Sequence, residues 1–210
     1  MMSDFFNKHY KRYDAWYDEN KFAYLSELEA VKKVTPTKGY GLEVGVGSGR
    51  FAAPLGISVG IDSSEKMVEL AKNRGVEARI GSGENLSFDD STFDYAAIIF
   101  TICFVQEPGK VLEEAARVLK KGAKIIVGIV DKESFLGKFY KEKESVFYEG
   151  AQLFSVQETT KLLEECGFED FSYYQTLFDR PEKIKAIETP LEGYGKGGFV
   201  VISASKKGSQ

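Results

Sequence analysis

A set of alternating glycines directly after an apolar segment constrains the fold of this chain more than any other feature. The apolar segment Gly41–Val46 contains the first of these glycines, Gly45, and is followed by Gly47 and Gly49. A short predicted helix comes next. Glycine has no Cβ, so the backbone at these positions can turn sharply and approach a ligand closely. A strand that ends in such a turn is typical of a parallel sheet whose carboxyl edge binds a nucleotide-like cofactor.

The pattern on either side of the glycines extends this unit into an α/β fold. Strand-like and helical segments alternate after a break at residues 35–39, which predicts parallel pairing. The predicted strands are Gly41–Val46, Val59–Ile61, Val76–Ile80, Asp94–Thr101, Lys124–Val130, Phe168–Leu177 and Gly198–Ala204. The predicted helices include Glu65–Asn73, a helix opened by Pro108 and closed by Gly122, and Gln157–Glu165.

The last two predicted strands break the alternation, because no strong helical pattern lies between them. Consecutive strands without a crossover helix pair antiparallel. The prediction is therefore a doubly wound, Rossmann-like, mostly parallel seven-stranded sheet with an antiparallel edge hairpin.

The chain of 210 residues is predicted to form a single domain. Near its start, the aromatic residues Phe6, Tyr10, Tyr13 and Tyr17 recur at helical spacing. The helical segment 1–38 is too short to bury a core of its own. We therefore expect it to form an N-terminal cap on a sheet domain that spans residues 39–205.

Composition limits the partners and the location that the sequence allows. The net charge is −4 and the basic residues are dispersed, which disfavours a nucleic-acid partner. No segment is apolar enough for a signal peptide or a membrane span, so a cytoplasmic protein without a membrane partner is expected. Cys103 and Cys166 lack the paired spacing of a metal or redox site, and no metal is predicted.

A carboxylate beyond the glycine loop strengthens the prediction of a cofactor site. Asp62 ends the second predicted strand, where it can accept both hydroxyls of a ribose. Nicotinamide-binding proteins require the spacing G-x-G-x-x-G, whereas Gly49 arrives one residue early here and Arg50 takes the expected glycine position. The spacing therefore favours a different cofactor.

Five motifs in order make the chain similar to the class I S-adenosylmethionine-dependent methyltransferases, especially the group that acts on small molecules. The similarity covers roughly Gly41 to Gly167. The motifs are Glu43-Val-Gly-Val-Gly-Ser-Gly49, Gly60-Ile-Asp-Ser-Ser-Glu-Lys-Met67, Gly81-Ser-Gly-Glu-Asn-Leu-Ser-Phe88, Phe93-Asp94-Tyr95 and Ala116-Arg-Val-Leu-Lys-Lys-Gly122.

The resemblance implies S-adenosylmethionine as the cofactor and assigns residues to it. The implied contacts are Glu43, Gly45, Gly47 and Gly49 at the methionine end, Asp62 at the ribose, Ser63 and Met67 beside the adenosine, Ser82, Gly83 and Glu84 at the adenine, and Thr101 beyond the fourth strand. Among the departures from the family pattern, two lie in the segments that surround the expected cofactor. Ser82 stands where an acidic residue is usual, and Pro54 lies within the first helix, which we expect to be short.

The expected reaction is an in-line methyl transfer to a small-molecule acceptor on a nitrogen, oxygen or carbon atom. Such a reaction depends mainly on alignment and exclusion of water, so no conspicuous catalytic residue is needed. Acceptor contacts are expected from the loops 101–109, 131–154 and 178–197 and from Tyr13, Tyr17 and Tyr194. Two alternatives remain at this point: a non-catalytic protein that binds S-adenosylmethionine, and an NAD-dependent oxidoreductase.

Overall fold

A computed structural model describes residues 2–142 and 150–208. Its helices are α1 (Met2–Glu19), α2 (Lys21–Lys32), α3 (Ala52–Leu55), α4 (Glu65–Asn73), α5 (Pro108–Val118), α6 (Phe135–Glu142) and α7 (Val156–Glu165). Its strands are β1 (Gly41–Val44), β2 (Val59–Asp62), β3 (Glu77–Ile80), β4 (Phe93–Ile99), β5 (Leu119–Val130), β6 (Phe168–Thr176), β7 (Leu191–Glu192) and β8 (Phe199–Lys206). A short 3-10 turn spans Pro181–Lys183.

The strands form one sheet in the order β3-β2-β1-β4-β5-β8-β6-β7. Strands β1 to β5 pair in parallel, and β8 pairs antiparallel with both β5 and β6. This arrangement confirms the predicted α/β fold with a mostly parallel sheet and an antiparallel edge. The chain reverses its strand order beside β1, so the glycine turn after β1 lies at the position where such sheets bind ligands.

Two apolar layers cover the sheet. Helices α5 and α7 pack on one face, where Leu112 and Leu163 are fully buried. Helices α2, α4 and α6 pack on the other face together with Phe199 of β8. Within α2, Ala23 and Ala30 have no exposed surface, so the N-terminal segment shares the core of the sheet domain.

The structure corrects two details of the predicted elements. The sheet has eight strands, because Leu191 and Glu192 form the short strand β7 against β6. Helix α5 ends at Val118 and not at Gly122, because Leu119 is fully buried in an extended conformation and pairs with Phe93. The predicted antiparallel pair at the edge is present as β6 and β8, with β8 between β5 and β6.

The first helix after the glycine loop is as short as Pro54 predicts. Helix α3 has four residues and is followed by Gly56, which adopts a left-handed conformation with φ of 67°.

Each helix within residues 2–142 and 150–208 is too short or too polar to span a lipid bilayer.

Candidate functional site

A cavity of about 100 Å³, which we call the cofactor-side cavity, opens at the carboxyl ends of β1, β2 and β4. Most of the residues predicted to contact a cofactor meet in its wall. They are Gly45, Gly47, Asp62, Ser63, Met67, Ser82, Gly83, Glu84 and Thr101. Helix α1 covers the cavity, since Phe6 and Tyr13 also line it.

The ends of β1 and β4 approach each other so closely at Gly45 that only glycine fits there. Its φ is 74°, and a Cβ added there would lie 2.1 Å from Thr101 Oγ1 and 2.4 Å from Thr101 Cγ2. Gly47 also has a positive φ, but the nearest atom to its Cβ position is in the Tyr13 ring at 4.0 Å. The first glycine therefore lets β1 and β4 meet, whereas the second leaves room for a ligand.

Asp62 holds the glycine loop as well as facing the cavity. Its Oδ2 accepts a hydrogen bond of 2.8 Å from the backbone N–H of Gly47, and its Oδ1 accepts one of 2.8 Å from Ser64. Burial raises the pKa of Asp62, while these backbone donors oppose that rise. Each carboxylate oxygen can accept more than one hydrogen bond, so both remain able to accept from a ligand hydroxyl.

A carboxylate is present near the position where Ser82 replaces the usual acidic residue. The Ser82 hydroxyl donates a hydrogen bond to Glu84 Oε2, and the Glu84 N–H donates to Ser82 Oγ. Both residues line the cavity. The loop after β3 therefore offers a negative hydrogen-bond acceptor two residues beyond the family position.

Two of the predicted cofactor residues do not line this cavity. Gly49 packs against α4, because a Cβ there would lie 3.1 Å from the Ala71 Cα. Glu43 is 2% exposed and lies behind the loop. Its Oε2 has no hydrogen-bond partner within the described part of the chain, and burial raises the pKa of Glu43 well above its usual range.

A second and larger cavity, of about 650 Å³, adjoins the first. The two cavities share Tyr13, Phe100 and Phe104 in their walls. Aromatic rings dominate the larger one, which is also lined by Trp16, Tyr17, Tyr140 and Phe154. All the segments predicted to contact an acceptor reach it, through Cys103, Phe154, Pro181 and α1. Residues 143–149 of the predicted loop 131–154 lie outside the described residues.

Of the three tyrosines predicted to contact the acceptor, two line the larger cavity and the third lies elsewhere. Tyr13 and Tyr17 line the larger cavity, and their hydroxyls are 3.1 Å apart. Tyr194 lines neither cavity. Its ring packs edge-on against Tyr173, with 5.0 Å between the centroids, because residues 193–197 fold back onto β6.

Cys103 lines the larger cavity without the features of a nucleophile. Its Sγ donates to the Phe100 carbonyl oxygen at 3.0 Å. Burial raises the pKa of the thiol to about 12, so it remains neutral at physiological pH. The thiolate needed for nucleophilic attack is therefore absent under these conditions.

The structure adds Glu27, which the predictions omitted, to the wall of the larger cavity. A sequence signal for it exists. Glu27 lies on the buried face of α2 together with Ala23, Ala30 and Val31, at the positions where a helix packed on a core is normally apolar. A charged residue at such a position indicates a role other than core packing.

Arg50, directly after the glycine loop, fastens helix α1 over the cofactor-side cavity. Its Nε donates to Asp14 Oδ1 at 2.9 Å, and its terminal nitrogens donate to Asp18 at 2.7 and 2.8 Å. Arg74, directly after α4, donates to Asp14 Oδ2 at 2.7 Å, and Ser48 donates to Asp14 Oδ1 at 2.6 Å. Asp14 therefore joins α1 to the glycine loop and to α4.

We expect Asp14→Asn to loosen this attachment and to lower the stability by about 1–3 kcal/mol, because two guanidinium groups lose a charged acceptor. Burial alone raises the pKa of Asp14, but the hydrogen bonds from Arg50, Ser48 and Arg74 lower it to about 2. The stabilisation is therefore complete above pH 3.8, the ordinary value, and is lost as the pH falls to about 2. Thermal unfolding across this range measures both effects.

Glu69→Gln is the matched control, since Glu69 pairs with Lys66 on the exposed surface of α4. Exposed pairs contribute little, so a change of less than about 0.5 kcal/mol is expected. Equal losses in the two variants would contradict the attachment of α1 through Asp14.

Comparisons with known proteins agree with this geometry. A family model described as "Methyltransferase domain" matches residues 42–127, which span β1 to β5 and contain the cofactor-side cavity loops. A Thermotoga maritima crystal structure described as an S-adenosylmethionine-dependent methyltransferase, "possible histamine N-methyltransferase", is 50% identical with a TM-score of 0.96. That match covers 99% of this chain and 100% of the other.

Two curated relatives extend the similarity. An uncharacterised protein of Methanocaldococcus jannaschii is 48% identical over 203 residues, with 96% of this chain and 98% of the relative covered. The ubiquinone/menaquinone biosynthesis C-methyltransferase of Rickettsia felis is 30% identical, with 77% and 82% covered. The names of the Rickettsia and Thermotoga proteins differ in the atom that is methylated, a carbon in one and a nitrogen in the other.

Proposed function

The chain belongs to the S-adenosylmethionine-dependent methyltransferases, and from this premise we propose that it methylates a small molecule bound in the larger cavity. Membership of this family decides between the two cofactors in favour of S-adenosylmethionine over NAD, and it makes the protein an enzyme. The observation that supports a small acceptor is the aromatic cavity of about 650 Å³ beside the cofactor-side cavity. A volume of this size is typical of pockets for small ligands.

The residues of the cofactor-side cavity fit S-adenosylmethionine. Asp62 would accept hydrogen bonds from the ribose hydroxyls, and Ser82 and Glu84 would face the adenine. Gly47 would allow the backbone to approach the methionine end, because the atom nearest to a Cβ there is in the Tyr13 ring, 4.0 Å away. Glu43 would act from behind the loop, since its orphaned Oε2 is a buried acceptor near the glycines.

The shared wall of the two cavities provides the place for the transfer. When bound, S-adenosylmethionine supplies a methyl carbon on positively charged sulfur, and the acceptor bond to that carbon forms as the sulfur–carbon bond breaks. Tyr13, Phe100 and Phe104 lie where the acceptor and the cofactor sides meet. Their contribution is to align the acceptor and to exclude water, which is the main requirement of an in-line displacement.

The experiment uses S-adenosylmethionine with a deuterated methyl group and an extract of small metabolites, with labelled products identified by mass spectrometry. We expect the label in a small molecule. We also expect Cys103→Phe to reduce the labelling at least about tenfold, because the added ring fills the cavity that the thiol lines. Binding of S-adenosylhomocysteine, measured by calorimetry, should remain within about twofold, because Cys103 lines only the acceptor side.

Cys103→Ser is the matched control, because serine is small and leaves the cavity open. This variant should keep its labelling activity, since a neutral thiol makes no covalent intermediate. Label found only in protein or nucleic acid would contradict the small-molecule proposal. A loss of activity in Cys103→Ser would contradict the passive role of the thiol.

A further inference from the structure

Glu27 is a buried carboxyl group that the cofactor-side cavity does not use. It is 2% exposed, and it lines the larger cavity from α2. Its Oε2 has no hydrogen-bond partner among residues 2–142 and 150–208. Buried polar side chains are nearly always paired, so an unpaired one that faces a cavity indicates a ligand partner.

The neighbour of Glu27 shows how a polar residue of α2 is otherwise satisfied. Ser26 is also fully buried, but its hydroxyl donates to the Phe22 carbonyl oxygen at 2.7 Å and accepts from the Glu188 N–H at 2.8 Å. Ser26 therefore joins α2 to the connection between β6 and β7. Glu27 makes no such contribution to the fold, and an apolar side chain would pack there at a lower cost.

The surroundings of Glu27 suit a positive charge. Tyr13, Trp16 and Tyr17 line the same cavity, and aromatic faces attract cations. The Glu27 carboxyl also contributes to the raised pKa values of the Tyr13 and Tyr17 hydroxyls, whose main cause is burial. A cation beside Glu27 would therefore be held by a carboxylate and by aromatic rings together.

The charged residues at the rim have the same preference. Among residues 2–142 and 150–208, the exposed residues Glu19 and Glu182 contribute two carboxylates to the cavity lining, and Arg12 contributes one guanidinium. Charges around the mouth of a cleft raise the local concentration of ligands with the opposite charge. The rim and the interior thus both favour a cationic acceptor over an anionic one.

We infer that Glu27 binds a basic nitrogen of the acceptor, and that the larger cavity takes an amine with an apolar or aromatic body. The inference rests on the proposed function, because it assigns the larger cavity to the acceptor. It names Glu27 as a residue that determines specificity, through a carboxylate–ammonium pair formed only when the acceptor is bound.

The test measures binding and requires no turnover. Protein saturated with S-adenosylhomocysteine is titrated by calorimetry with three probes of matched shape: phenethylamine, 2-phenylethanol and phenylacetate. We expect the amine to bind at least about tenfold more tightly than the alcohol, and phenylacetate to bind most weakly, because a desolvated charge pair outweighs a neutral contact. Glu27→Gln should remove the preference for the amine, whereas Glu69→Gln, on the exposed surface of α4 and outside the cavity lining, should keep it.

Proton exchange provides a second measurement on the same samples. Burial raises the pKa of Glu27 well above its usual range, whereas a cation bound beside the carboxyl favours its ionised form. Titrations in buffers with different ionisation enthalpies should therefore show that protons are released when the amine binds.

The groups that face Glu27 identify the source of this proton. Burial also raises the pKa values of Tyr13, Tyr17, Tyr24 and Cys103, so these groups stay neutral at pH 7. Arg12, Glu19 and Glu182 are the charged residues of the cavity lining that are exposed to solvent. Glu43 is also a buried carboxyl with a raised pKa, and loss of proton release in Glu27→Gln excludes it as the source.

A purely structural role for Glu27 predicts a different result. If the carboxyl only supported α2, Glu27→Gln and Glu27→Leu would lower the melting temperature, and the amine preference would survive in the folded fraction. We expect both variants to be at least as stable as the unsubstituted protein, because an unpaired buried carboxyl is removed.

The outcomes separate this inference from the proposed function. Equal binding of the amine and the alcohol, or an amine preference that persists in Glu27→Gln, overturns the role of Glu27 and leaves methyl transfer to a neutral acceptor standing. A Glu27-dependent amine preference combined with label found only in macromolecules supports the site and overturns the proposed function.

Discussion

Replacing Asp62 by alanine is expected to weaken the binding of S-adenosylhomocysteine by about 1–3 kcal/mol, which is roughly a 5- to 150-fold increase in Kd. The change has two physical causes. The ribose hydroxyls lose their acceptor, and the backbone N–H groups of Gly47 and Ser64 lose the carboxylate oxygens that hold them at 2.8 Å. The glycine loop is then less well positioned even before a ligand binds. Calorimetric titration of the variant measures the combined effect.

Two further variants identify what the carboxylate contributes. Asp62→Asn keeps one oxygen acceptor but presents an N–H₂ group to one of the two backbone donors, so we expect its binding loss to approach that of alanine. Asp89→Ala removes an exposed aspartate from the turn before β4 and should leave Kd unchanged. Unaltered affinity in Asp62→Ala would place the ribose elsewhere in the cavity.

Gly45→Ala is expected to have the largest effect on the fold, with a loss of about 2–5 kcal/mol in the free energy of unfolding. An alanine at φ of 74° is strained, and its Cβ would also overlap Thr101, whose Oγ1 would lie at 2.1 Å. Either β1 or β4 must move, and the carboxyl ends of both strands line the cofactor-side cavity. Binding of S-adenosylhomocysteine should therefore fall together with the stability.

Gly56→Ala separates the overlap from the backbone strain. Gly56 has a similar φ of 67°, but no atom lies within 4 Å of its Cβ position. We expect a loss of only about 1 kcal/mol there, with cofactor affinity intact. Adding Thr101→Ala to Gly45→Ala removes the two nearest atoms and should recover part of the stability. Equal losses at Gly45 and Gly56 in thermal unfolding would show that the close approach is unimportant.

The parts of the site that the sequence predicted are those encoded by short segments. Gly45 and Gly47 lie within three residues of the end of β1, and Asp62 ends β2, while the carboxyl ends of parallel strands meet at one edge of the sheet. Their convergence therefore needs only the strand order, which the alternation of helices and strands already limits. Gly49 belongs to the same motif but does not line the cavity. A Cβ at Gly49 would instead meet Ala71 of α4 and Val76.

The strand order at the sheet edge and the lining of the larger cavity could not be predicted without the tertiary structure. The composition of the glycine-rich loop around Tyr194 predicted that this loop lines the cavity. In the structure, Gln175 Oε1 accepts hydrogen bonds from the N–H groups of Lys196 and Gly197 and holds the loop on β6. The insertion of β8 between β5 and β6 likewise depends on pairing between residues far apart in the chain. Such long-range choices leave no local periodicity that a sequence pattern could detect.

Local steric and hydrogen-bonding requirements select glycine and aspartate at particular positions, so the sequence alone predicted the α/β class, the glycine loop and the carboxylate at the end of β2. The lining of the larger cavity could be read only from the folded domain. Glu27, Cys103, Phe154 and Pro181 come from four separate segments and meet around one cavity. Whether a side chain such as Glu27 faces solvent, core or ligand depends on which elements cover its helix. That coverage is set by packing across the whole domain and not by the residues beside it in the chain.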